Sequence, residues 1–160
     1  EIGEAGVFII LNVFASGIGS LFSGWLGDSY GHKISILFSF MAYLMALMVA
    51  LLSKNMVHVY IVFLFLGLGL GAFMPSAMNL IYKFAEGGDN KIYMALTDTV
   101  LAPFTFLAIT IVGGVSELID MDIILIVIGA FLIIGIFIMI FFVDDPSNQH
   151  KKQIISYNVR

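Results

Sequence analysis

The sequence predicts an all-α fold: a polytopic membrane helix bundle with five transmembrane helices. Three observations predict it. Hydrophobic residues make up 61% of the 160 and charged residues only 11%. A soluble domain averages about 25% charged, so this chain has too little polar surface to coat a water-soluble globule. Five apolar runs each reach or nearly reach the ~20 residues that cross hydrocarbon at about 1.5 Å per residue. The connectors between them are short and polar, and their basic residues alternate in abundance along the chain. Helix is the assignment that lipid allows, because a lone strand would leave backbone groups unpaired and barrel strands would alternate polar and apolar residues.

The first segment, 5–26, carries Asn12 and a row of small residues, Ser16, Ser20 and Gly24, at i, i+4 and i+8. Such rows let helices approach closely in lipid, where packing rather than water exclusion drives association. The connector Gly27 to Lys33 follows. The second segment, 34–52, places Ser35, Ser39 and Tyr43 on one stripe. The third, 57–81, contains Gly67 and Gly71 as a G-x-x-x-G, then Pro75 and Asn79. Its glycine run is no nucleotide loop, since it lies inside an apolar span with no strand before it. The fourth, 92–115, contains Asp98 and Pro103. Each proline removes a backbone donor, which bends a helix and frees a carbonyl. The fifth, 123–143, holds no charge. Trp25 and Tyr60 lie near segment ends, where amphipathic rings favour the membrane interface. Connectors this short force antiparallel neighbours in one domain, 1–145, followed by a polar tail, 146–160.

Lysine and arginine counts set an orientation. The first and third connectors and the tail hold six, the second and fourth connectors one. The first connector, the third and the C-terminal tail are therefore expected in the cytoplasm, in a protein of the plasma (cytoplasmic) membrane. The first residues include two acids and no base, unlike a signal peptide, and the start is expected to be a cut through a longer protein. The net charge of −4 excludes a nucleic-acid binder, which would show a basic stripe. With no cysteine, a disulfide framework, a thiolate metal site and a cysteine nucleophile are excluded. The three histidines lie in connectors or tail and do not cluster, so neither metal nor cofactor is expected. No enzyme chemistry emerges.

The stretch Gly24-Trp25-Leu26-Gly27-Asp28-Ser29-Tyr30-Gly31-His32-Lys33 resembles the G-x-L-a-D-r-x-G-r-k signature of the major facilitator superfamily. Gly24, Leu26, Asp28, Gly31 and Lys33 match. Gly27 stands where alanine is usual, Ser29 where arginine or lysine is usual, and His32 where arginine is usual. The resemblance implies a partial fold of that superfamily, with the motif on the cytoplasmic loop between the second and third helices of a six-helix half. It also implies that Asp28 latches one half of a transporter to the other. The missing basic residues imply a weaker or secondary latch. The register allows helices 2–6 or 8–12. Absence of arginine from the third segment, absence of G-P-x-x-G-G from the fourth, and a short charged tail favour the C-terminal half, 8–12.

On this reading the chain belongs to a secondary active transporter that moves a small solute by alternating access, with an ion gradient as the energy source. Its partners are the bilayer, the solute and the missing N-terminal half of the same chain. Asp98, Asn12 and Asn79 are the candidates for substrate or ion contact. A carboxylate at mid-bilayer costs about 2.5–3.5 kcal/mol on insertion scales, although Asp98 lies only about 10 Å along the helix from Lys91. Asp98 serves either as a proton-coupling residue or as a partner for Lys91, Lys83 or a helix end; Asn12 equally suits a link between two helices. The alternative function is a non-transporting membrane sensor or receptor of the same fold.

Overall fold

The computed structural model describes residues 2–84, 90–116 and 118–143. The tail 146–160 and most of the third connector, with its Gly87-Gly88-Asp89 turn cluster, lie outside the described residues. Five helices follow in order: α1 (Ile2–Tyr30), α2 (His32–Leu51), α3 (Met56–Phe84), α4 (Asn90–Val115) and α5 (Met121–Phe142). The shortest, α2, has 20 residues, so every helix is about 30 Å long or more and can cross the hydrocarbon layer. No strand occurs among the described residues.

The connector expected over 27–33 shrinks to one residue. Helix α1 continues to Tyr30, the Gly31 amide donates to the Gly27 carbonyl at 3.0 Å, and α2 starts at His32. Apolar runs end where the hydrocarbon ends, but a helix in the interface remains a helix, and Asp28 and Ser29 do not break it. Gly31 does, with φ 102° and ψ 152°.

Helix α3 is the hub. It packs along α1 and along α2; α2 packs on α5; α4 lies more thinly on α3. The α1–α3 partners keep a nearly constant numerical offset, 49 to 53, from Asn12–Phe63 through Ser23–Ser76. A constant offset means that α1 and α3 run parallel, as two helices separated by one antiparallel crossing must.

This seam is built from small residues and hydroxyls. A Cβ at Gly19 would collide with the Leu68 carbonyl, one at Gly67 with the Asn12 carbonyl, and one at Gly71 with the Ser16 carbonyl. Among the described residues the largest fully buried side chains are serines: Ser23, Ser35, Ser39 and Ser76. Ser23 Oγ lies 2.7 Å from Ser76 Oγ and 2.9 Å from the Ala72 carbonyl, and Ser35 Oγ donates to Ser23 Oγ at 2.8 Å. One hydroxyl cluster thus joins α1, α2 and α3. Each such bond is worth about 0.6 kcal/mol on average in a membrane bundle; with backbone contact alongside, they set register.

Pro75 sits inside an unbroken α3. Its missing N–H leaves the Gly71 carbonyl without its usual helical donor. The Ser20 hydroxyl donates to that carbonyl at 3.0 Å. The carbonyl freed by proline is therefore closed off by the neighbouring helix.

Toward the Gly31 end, Ile36, Leu80 and Met139 form a buried cluster with Leu37, Phe40, Phe73 and Val143 packed on it, which joins α2, α3 and α5. Aromatic rings gather near both ends of α1. Phe8 meets Tyr60 and Phe63 at 5.2 and 4.9 Å, and Phe22 meets Phe38 and Trp25 at 4.8 and 5.7 Å. Of these rings Tyr60 and Trp25 are amphipathic, the kind that favours a membrane interface.

Candidate functional site: the hairpin junction of α1 and α2

The matched motif residues straddle one sharp turn. Gly24, Leu26 and Asp28 lie on the last two turns of α1, Gly31 is the hinge, and Lys33 is in the first turn of α2. A Cβ at Gly24 would meet nothing within 4 Å, so this glycine faces open space. Gly27 is buried, and its bare face carries the His32 ring; a Cβ there would fall 2.5 Å from His32 Nδ1. Two of the three departures from the signature, Gly27 and His32, thus touch each other. A histidine ring fills the volume that alanine would take, and His32 is only 6% exposed. The sequence pattern shows these departures but not the contact between Gly27 and His32.

Asp28 is exposed in the last turn of α1, and no hydrogen bond or ion pair joins it to another described residue. This is the unfavourable end for a carboxylate, because the helix dipole is negative there, and no basic residue accompanies it in that turn. Locally the aspartate is destabilising. Lys33 Nζ donates to the Ile140 carbonyl of α5 at 2.9 Å.

The three candidates for solute or ion contact do not converge. Asn12 is half-buried and donates to the Phe63 carbonyl at 3.2 Å, linking α1 to α3. Asn79 on α3 and Asp98 on α4 are both exposed. Their helices pack antiparallel, and counting rise from the α3–α4 connector puts Asn79 at about 8 Å and Asp98 at about 12 Å depth. These two share a level. Asn12, level with Phe63 to Gly67, lies roughly 20 Å away along the bundle.

No hydrogen bond or ion pair ties Asp98 to another described residue. Four α4 threonines behave differently. Thr97, Thr99, Thr105 and Thr110 each donate to the carbonyl four residues back, at 2.7 to 3.0 Å. Their hydroxyls are satisfied within the helix and tolerate lipid. From Asp98 to Gly114 every α4 residue is exposed.

Two hollows flank α5. One of about 690 Å³ lies between α4, α5 and Phe40 of α2; another of about 290 Å³ lies between α2, α3 and α5. They share Ile128 and Leu132, and their walls are almost wholly apolar. A polar solute site needs convergent polar groups on an apolar frame, and neither hollow provides them. No group of three or more metal-ligating side chains occurs among the described residues.

Sequence reasoning missed Ser23 and Ser76. The signal was present: Gly19 and Ser23, and likewise Ala72 and Ser76, are small residues four apart, the same spacing that marked Gly67 and Gly71.

A family model described as Major Facilitator Superfamily matches residues 1–156. No curated protein and no solved structure matches the chain.

Proposed function

The chain belongs to the major facilitator superfamily, a family of membrane transporters, and from that premise we propose that it supplies most of one half of a secondary transporter working by alternating access. The single observation that carries this reading is Asp28: exposed, at the wrong end of its helix dipole, and joined to no described residue. A latch requires such a group, available to the other half in one state and released in the other. The α1–α2–α3 block behind it is tied by hydroxyl bonds between three helices, so force applied at Asp28 is carried into the hub.

The exposed flank of α1 and all of α4 beyond Thr97 are the surfaces that the partner half would cover. With no arginine on α3, the five helices take the register 8–12. The excess of lysine on the Gly31 side puts that end in the cytoplasm. Asp98, level with Asn79 and joined to no described group, is the coupling residue, and the proton is the coupling ion. A carboxylate this deep is costly unless it is neutralised, and protonation neutralises it.

Uptake by the full-length protein in sealed vesicles tests the latch. Asp28→Asn should lower the maximal rate about tenfold, as loss of a coupling contact between two states does, with folding unchanged. Native kinetics in Asp28→Asn would remove the latch. Asp98→Asn should flatten the pH dependence of uptake, because an amide cannot take up or release the proton that a carboxylate can. If the variant follows the native pH profile, Asp98 carries no proton.

A further inference from the structure

Among the described residues, helix α5 has no cap from its own segment. No basic residue lies in its last turn, and Val143 after it is extended at φ −102° and ψ 114°. The last four carbonyls of a helix lack intrahelical donors and hold the negative end of its dipole. Ile140 is one of these four, and the Lys33 ammonium reaches its carbonyl from the first turn of α2 at 2.9 Å. The same two helices also meet in the apolar cluster of Ile36, Leu80 and Met139, on which Leu37 and Val143 pack.

We propose that Lys33 is a positioning residue: it caps the carboxyl end of α5 from another helix and thereby binds α5 to the Gly31 hairpin, so that the motif and α5 move as one body. The chemistry suits lysine. A long flexible stem carries its ammonium to the next helix, and three rotatable donors can serve a carbonyl without matching a planar partner. The apolar contact holds the two helices together; the cap sets how far α5 extends relative to the hairpin. This goes beyond the transporter reading and does not depend on it, since it needs only two packed membrane helices.

Hydrogen exchange of the full-length protein, reconstituted in phosphatidylcholine–phosphatidylglycerol vesicles, tests the cap over residues 139–143. Lys33→Met should speed exchange there about fivefold, the size of a helix-end charge effect. Lys33→Arg should keep native protection. Adding Phe142→Lys to Lys33→Met should restore protection by giving α5 a cation in its own last turn, which a role in packing alone would not allow. Unchanged exchange in Lys33→Met, or lost protection that neither arginine nor the second-site lysine recovers, would overturn the proposal. Should Lys33→Met not fold, the paired variant decides: native protection supports the cap, and failure to fold refutes it.

Discussion

Alanine at Gly71 is expected to pry α1 from α3 and to destabilise the chain by about 3 kcal/mol, the upper end for overpacking a close contact. The added methyl would land on the Ser16 carbonyl. Clashes with a flexible side chain are relieved by a new rotamer, but here both parties are backbone. The only relief is translation of one helix. That translation opens the contacts of Gly67 and Gly19 as well, because all three glycines face the same parallel seam. It also pulls Ser20 from the carbonyl that Pro75 leaves without a donor, and a carbonyl unsatisfied in lipid has no water to turn to. Gly113→Ala is the control, because a Cβ there meets nothing within 4 Å. It should be neutral or slightly stabilising, as alanine is the better helix former by about 1 kcal/mol. Denaturation of the reconstituted protein by increasing detergent measures both. Equal midpoints for the two variants would show that α1 and α3 are not in backbone contact.

That seam also shows what the sequence can reveal. Gly67, Gly71, Ser16 and Ser20 stand out because helical spacing reports which face is small, whereas Gly24, the third member of the row expected to bring helices close, faces open space. Spacing within a helix says nothing about the helix that covers the face, and the offset of about 50 residues joining Ser20 to Gly71 has no local signature. The same limit hides Lys33 and Ile140, which lie 107 residues apart. Five spans were legible because lipid demands a minimum apolar length. Their ends were less so: Asp28 ends an apolar run without ending α1. Asn12 was left between solute contact and helix link, and its bond to the Phe63 carbonyl draws it into the helix seam. Membership of the superfamily was legible from five residues around one turn, because those residues answer to geometry rather than to hydrophobicity.

Gly31 makes the sharpest case. Its φ of 102° and ψ of 152° lie far from the left-handed helical region near +57° and +47°. They fall in a region essentially reserved for glycine, where another residue costs about 1–3 kcal/mol. Asparagine relieves strain in left-handed turns and is the usual substitute for a helix-ending glycine. At Gly31 it should bring no relief. Gly31→Asn and Gly31→Ala are therefore expected to destabilise equally, by about 2 kcal/mol, and both should loosen the hydroxyl cluster, because Ser35 meets Ser23 only if the chain reverses within one residue. A stability assay combined with alkylation of a cysteine placed at Ser35 reads both consequences: a lowered midpoint, and faster labelling of a position that is fully buried in the native chain. If asparagine preserved near-native stability while alanine did not, the turn would be left-handed. The α1–α2 hairpin would then open by a residue, and Asp28 would no longer be aimed by a rigid hinge.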